Sequence, residues 1–178
     1  MQKTTRVLLG EDSEIVRVGC RVILEEAGMA VVGEARNGQE VLEQAAELSP
    51  HLVVLNLGMP RLNGCETTLR LARECPSVRV LGLMRYPVHR TAHQFLKVGG
   101  LGLLLSNCTR GELVQAVTHV ARGAMCLAPD LATIIVRDLA HHGKIANDAR
   151  LVQLTDRECE ILRLVSDGKS IKDIAACL

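Results

Sequence analysis

The first 122 residues alternate between short apolar runs and longer stretches with helical periodicity. Residues 6–9 and 52–55 are apolar runs of strand length, as expected for strands that are buried on both faces. Residues 15–27 instead repeat their apolar side chains at the spacing of one helix face, and the pattern ends at Gly28. Further strands are predicted at 30–32, 78–83 and 102–105, and further helices at 39–48, 64–74, 89–98 and 109–122.

Five strand–helix units in succession predict an α/β fold, in which a parallel sheet is covered by helices on both faces. Because crossovers between parallel strands are right-handed, the natural arrangement is a five-stranded doubly wound sheet of order 2-1-3-4-5. Such sheets bind ligands at the carboxyl ends of their central strands. The first strand is followed by Glu11 and Asp12, and the third ends at Asn56, so a functional crevice is predicted there.

The chain changes character after residue 122. We interpret residues 4–122 as one domain and 123–150 as a linker, with a helix near 129–140 that Pro129 opens. Residues 151–178 resume helical periodicity and form a second, helical unit. There Thr155 and Glu158 have the spacing of a capping box, and Ser170 caps a second helix.

Composition excludes several classes of protein. The 21 basic and 20 acidic residues give a net charge of +1, so binding to nucleic acid or a membrane surface would need a local patch. The longest uncharged runs, 48–60 and 98–109, are too short to cross a membrane. Seven dispersed cysteines without a CxxC pair indicate reduced thiols and a cytoplasmic protein.

Several strings resemble a known family. VLLGEDSEIVRVG, VVLNLGMPRLNG and GLGLLLS resemble the receiver domain of bacterial response regulators. LTDRECEILRLVSDGKSIKDIA resembles the start of the LuxR-type helix-turn-helix domain. The pair in this order is similar to the NarL/FixJ class, which implies a two-component transcription regulator that binds DNA as a dimer.

The resemblance implies a metal site at the first strand. In the family two acidic residues help to hold Mg²⁺, and they correspond to Glu11 and Asp12. Carboxylate oxygens are the ligands that this hard cation prefers. Taken without the family, two acids at a strand end are better explained by a solvated loop or a helix cap than by a metal site. We expect a weak Mg²⁺ site at most, and no other cofactor.

Four positions depart from the family's phosphotransfer machinery. The phosphoacceptor aspartate corresponds to Asn56, and a neutral amide is not a useful nucleophile toward a phosphoryl group. The hydroxyl residue after the fourth strand corresponds to Met84, and the lysine after the fifth to Ser106. The aromatic switch residue corresponds to Leu103. We therefore predict an atypical receiver that is not phosphorylated on aspartate, and no enzymatic activity.

The C-terminal unit and the histidines give weaker signals. In residues 151–178 the candidates for contacts with DNA phosphates are Lys169, Ser170 and Lys172, although solvated surface is the better explanation on this chain alone. The family's recognition helix would follow Leu178, so this unit is interpreted as incomplete. His89 and His93 have a spacing that can hold zinc, but paired surface histidines are the better explanation.

Two functions remain open on the sequence. The first is a transcriptional regulator whose atypical receiver controls DNA binding by the completed C-terminal domain. The second is a pseudo-receiver that does not bind DNA and acts by docking a protein partner or by forming inactive heterodimers. In general we expect the receiver to bind a protein partner or to form a homodimer. The sequence read beyond Leu178 would separate them.

Overall fold

The computed structural model describes residues 4–129, 131 and 132 of the chain. They form one parallel sheet of six strands in the order β2-β1-β3-β4-β5-β6. The strands are β1 (Arg6–Gly10), β2 (Ala30–Ala35), β3 (Leu52–Asn56), β4 (Arg79–Met84), β5 (Gly102–Leu105) and β6 (Cys126–Leu127). The helices are α1 (Glu14–Glu26), α2 (Gly38–Leu48), α3 (Gly64–Glu74), α4 (His89–Lys97) and α5 (Arg110–Ala121). The predicted α/β class and the order 2-1-3-4-5 are confirmed.

The sheet separates two hydrophobic cores. Helices α2, α3 and α4 cover one face, where Phe95 of α4 is fully buried. Helices α1 and α5 cover the other face, where Leu24 of α1 is fully buried. Successive strand residues contribute to opposite cores, as Val53 and Val54 of β3 do, because side chains alternate across a strand.

The sixth strand was not predicted. It lies inside the segment interpreted as a linker and pairs in parallel with β5, with Gly102 opposite Cys126 and Leu103 opposite Leu127. A strand of two residues is too short to show a periodic pattern, so the sequence carried no signal for it. The strand count of five was therefore one too low.

Strand β2 also differs from its predicted bounds of 30–32, because it continues through Gly33 and Glu34 to Ala35. Only Ala35 of this edge strand is buried, so an edge strand of this kind need not be apolar throughout. The apolar run at 30–32 is therefore shorter than the strand itself. The other elements predicted within the first 122 residues agree with the structure to within a few residues at their ends.

The chain continues past the sheet into a helical turn at Pro129, where the amide of Ala132 donates to the carbonyl of Ala128 at 2.9 Å. The rest of the helix predicted near 129–140 lies outside the described residues. The unit predicted at 151–178, with Lys169, Ser170 and Lys172, lies outside them as well. Among the described residues, no helix is both long enough and apolar enough to cross a membrane.

Candidate functional site

The structure brings together the three side chains predicted at the carboxyl edge of the sheet. β1 and β3 are neighbours, with Gly10 opposite Leu55, so the residues that follow each strand meet. The Nδ2 atom of Asn56 lies 3.1 Å from Oε1 of Glu11 and 2.9 Å from Oδ1 of Asp12. One amide group therefore donates hydrogen bonds to both carboxylates.

The orientation of the Asn56 amide follows from its neighbours. The backbone N–H of Gly58 donates to Oδ1 of Asn56 at 2.9 Å, so that atom must be the carbonyl oxygen. The NH₂ group then faces two ionisable carboxyl groups, which accept hydrogen bonds when charged. Every polar atom of the side chain is thus used, and a reversed amide would place its oxygen against two carboxylates.

Glu11 is the buried member of the pair, with 5% of its surface exposed, whereas Asp12 is exposed. Burial raises the pKa of Glu11, and the neighbouring Asp12 carboxylate raises it further. Hydrogen bonds from the Ser13 amide and from Asn56 act in the opposite direction and lower the pKa of Glu11. Two carboxylates therefore share a site in which the charged state of one is disfavoured.

A buried arginine fixes the turn between β1 and α1, and the sequence analysis did not identify it. Arg17 of α1 is only 4% exposed and donates from NH1 to the backbone carbonyl of Glu11 at 2.9 Å. Its Nε also lies 3.0 Å from Oε2 of Glu34, and Arg21 lies 3.0 Å from Oε1, the other oxygen of the same carboxylate. The only available signal was a charged residue within the apolar pattern of α1.

The three other positions predicted to be degenerate lie on or directly after β4 and β5, and none of them carries a positive charge. Met84 ends β4 and is buried, and its backbone carbonyl accepts from the amide of exposed Ser106 at 2.7 Å. Leu103 is fully buried within β5 as part of the core. A thioether, a hydroxyl and an isobutyl group supply no positive charge to a transferred phosphoryl group.

The donor set fits Mg²⁺ poorly. A divalent cation would sit between the two carboxylates, the position that the Asn56 NH₂ group holds. Amide hydrogens and a metal ion cannot use the same carboxylate oxygens in the same direction, and Oδ1 of Asn56 is directed to Gly58 instead. The remaining anionic ligands are fewer than this cation prefers without phosphate oxygens.

Zinc binding at the histidine pair has no further support. His89 is exposed and His93 is half-buried on α4. Among the described residues, no group of three or more histidine, cysteine, aspartate or glutamate side chains is placed to hold a metal ion.

Two protein families match the chain. The family described as "Response regulator receiver domain" matches residues 7–118, which is the sheet and its helices. The family described as "Bacterial regulatory proteins, luxR family" matches residues 152–178. The two matches lie in the order that the sequence strings indicated.

Individual proteins match over nearly the whole chain. The transcriptional regulatory protein LnrK of Bacillus subtilis (strain 168) is 33% identical over 177 residues, covering 96% of this chain and 80% of LnrK. LiaR of the same organism is 32% identical, covering 95% of this chain and 80% of LiaR. A LuxR-family two-component response regulator from Aurantimonas sp. SI85-9A1 superposes with a TM-score of 0.74 at 29% identity, covering 78% of this chain and 99% of that structure. The structural match agrees with the receiver fold observed for this chain.

Proposed function

The chain belongs to the LuxR-type response regulators, and from that premise we propose that its receiver controls transcription without being phosphorylated on aspartate. A transcriptional response regulator combines a receiver with a DNA-binding domain, and both families match here. The proposal concerns how the receiver is switched. It supposes a cytoplasmic, non-enzymatic protein whose output is set by its amount, by a partner or by a second copy.

The observation that carries the proposal is the contact of Asn56 with Glu11 and Asp12. Formation of an acyl phosphate needs a carboxylate oxygen that attacks phosphorus while the leaving group departs. The Asn56 oxygen belongs to a neutral amide, which is a far weaker nucleophile than a carboxylate, and it already accepts a hydrogen bond from the Gly58 amide. Its nitrogen is held by the two carboxylates, so neither end of the side chain is available to attack.

The surrounding residues support the same conclusion. Transferred phosphoryl groups are stabilised by cations and directed hydrogen-bond donors. Met84 and Ser106 occupy the positions that would supply them, and each lost charge-assisted contact costs about 1.5–3 kcal/mol. Restoring a carboxylate alone would therefore leave the transition state unsupported.

The direct test is phosphorylation of the full chain with acetyl phosphate and Mg²⁺, followed by intact-mass measurement. We expect no added phosphoryl group on the parent and little on Asn56→Asp. Asn56→Asp combined with Met84→Thr and Ser106→Lys should gain labelling, which shows that the assay can detect it. Stoichiometric, base-labile labelling of the parent would contradict the proposal.

Binding to DNA through the C-terminal LuxR-type domain is the second part of the proposal. It rests on the match of residues 152–178 to the luxR family. Electrophoretic mobility shifts with the intact protein should show a complex that is unchanged by treatment with phosphodonor. An intact protein that binds no DNA under low salt would instead favour the pseudo-receiver that acts only on protein partners.

A further inference from the structure

Charge is sorted by helix across one face of the molecule. Helix α2 carries three glutamates and no basic residue, whereas α4 carries Arg90 and Lys97 with two histidines and no acidic residue. Helix α3 lies between them, packs against both, and carries two residues of each sign. The layer therefore runs from acidic through mixed to basic.

The charged side chains lie on the outer ridges of these helices. On α2 the exposed side chains include Gln39, Glu43 and Glu47, each four residues apart, while Val41 and Ala45 are buried against the sheet. This spacing places the three on one helix face, away from the core.

Helix α4 repeats the arrangement with the opposite sign. Its exposed ridge is Arg90, Gln94 and Lys97, opposite the buried Ala92 and Phe95. Within the part of the chain that the structure describes, no ion pair is formed by Arg90, Lys97 or Glu47. Among the described residues these three charges therefore have no ion-pair partner, and the small exposed residues Ala46 of α2 and Ala72 of α3 permit close approach.

We propose that the outer face of α2, α3 and α4 binds the same face of a second copy of this chain, with acidic α2 of each protomer against basic α4 of the other. The three helices run in the same direction, because each connects two parallel strands of the sheet. Consider a twofold axis that lies in the interface and runs parallel to these helices. It reverses the order of the three helices in the second protomer, so α2 of each protomer lies opposite α4 of the other, and α3 lies opposite α3.

The other in-plane twofold axis can be rejected on charge. An axis perpendicular to the helices would place α2 on α2 and α4 on α4, with like charges opposed at both edges of the interface. Opposed like charges disfavour an interface, whereas complementary patches steer and stabilise it. The charge distribution therefore favours both a second copy of this chain as the partner and the axis parallel to the helices. Helix α3, which carries both signs of charge, can pack against its own copy at the centre of such an interface.

This inference rests on the part of the proposed function in which a second copy sets the output, and it names the surface. The experiment is sedimentation velocity of the full chain at several concentrations. Glu43→Lys with Glu47→Lys makes both edges basic, and Arg90→Glu with Lys97→Glu makes both acidic. Each double variant should dimerise about 10- to 100-fold more weakly than the parent at low salt, since several exposed pairs are reversed together.

Mixing the two double variants tests directly whether α2 of one protomer pairs with α4 of the other. An all-basic and an all-acidic protomer should form a heterodimer with parent-like affinity, and the chain with all four reversals should dimerise with itself again. Raising the salt to about 0.5 M should weaken the parent dimer and the heterodimer alike. Circular dichroism of each variant checks that these exposed substitutions leave the fold intact.

A matched control lies on the opposite face of the sheet, where Glu25→Lys with Arg122→Glu also reverses two exposed charges. This pair should leave dimerisation unchanged. A parent that stays monomeric at all concentrations, or a dimer lost only in the control pair, would overturn the inference. Neither result touches the phosphorylation test, so the two proposals fail separately.

Discussion

At the scale of single residues, the Asn56 amide occupies the position between two carboxylates that a cation could otherwise take. Its NH₂ group presents partial positive charge to Glu11 and Asp12 at hydrogen-bond distance. The amide has no net charge, so it satisfies the two carboxylates by hydrogen bonding without a metal ion and without adding a third negative charge. An amide at position 56 therefore supplies no carboxylate of its own and donates a hydrogen bond to each of the two acids.

Asn56→Asp should reverse both effects. Two donated hydrogen bonds become contacts between carboxylates, so we expect unfolding to cost about 1–3 kcal/mol less without metal. Mg²⁺ should then raise the melting temperature of the variant by more than it does for the parent. Differential scanning calorimetry with and without Mg²⁺ measures both changes.

The control is Asn63→Asp, which adds the same charge at the N-cap of α3, where aspartate is tolerated. It should show no new response to metal. Saturable stabilisation of the parent at sub-millimolar Mg²⁺ would contradict the account of the site.

Cys20 gives a residue-scale prediction at alkaline pH. Burial, and then the charge of Glu11, raise the pKa of this thiol from 9.0 to about 11. In the unfolded chain the thiol ionises first, so the folded state loses stability as the pH rises from about 9 to 11. Two pKa units correspond to about 2–3 kcal/mol. Cys20→Ala should reduce this loss in denaturant titrations at pH 8 and pH 11, and equal losses in variant and parent would exclude the linkage.

How much of the site could be predicted depends on what places each residue. Glu11, Asp12 and Asn56 were predicted to converge because sheet order alone brings the ends of β1 and β3 together. The hydrogen bonds of Asn56 were not predicted, since they depend on a rotamer and on the amide of Gly58. Arg17 was missed because burial of an arginine requires Glu34 from β2, a partner that local sequence does not reveal.

At the scale of helices and strands, the ends of helices were the most predictable features. Asn37, Asn63 and Thr109 each accept a hydrogen bond from the backbone N–H three residues later, which fixes where α2, α3 and α5 begin. Strand β6 had no such signal, because only its pairing with β5 defines it. Side-chain caps therefore mark the start of these helices in the structure, whereas β6 exists only through its pairing with β5.

Replacing two glycines of the helical segments by alanine should change the stability of the fold in opposite directions. An alanine methyl at buried Gly100 would clash with the ring of Phe95, so Gly100→Ala should destabilise the fold by about 1–3 kcal/mol. An alanine methyl at Gly19, inside α1, would meet no atom within 4 Å, so Gly19→Ala should stabilise it by about 1 kcal/mol. Thermal melts followed by circular dichroism compare the two, and a destabilised Gly19→Ala would show that α1 is packed differently.

At the scale of the whole molecule, the sheet separates the two hydrophobic cores of the described residues. This arrangement was predictable, because continuous apolar runs such as 52–55 require cover on both faces. The assignment of helices to faces followed from right-handed crossovers together with the strand order. The sorting of charge between α2 and α4 was visible in the sequence, but its meaning needed the order of helices within the layer.

The two cores should contribute to stability independently. Leu24→Ala removes a fully buried side chain from the core under α1 and α5, and Phe95→Leu removes a ring from the core under α2, α3 and α4. We expect about 2–5 kcal/mol for the first substitution and a smaller loss for the second. Because the sheet lies between the sites, the double variant should lose the sum to within about 0.5 kcal/mol. Guanidinium titrations followed by far-ultraviolet circular dichroism give the three free energies of unfolding. A shortfall well beyond that margin would mean that strain passes through the sheet, and that the faces do not act as separate cores.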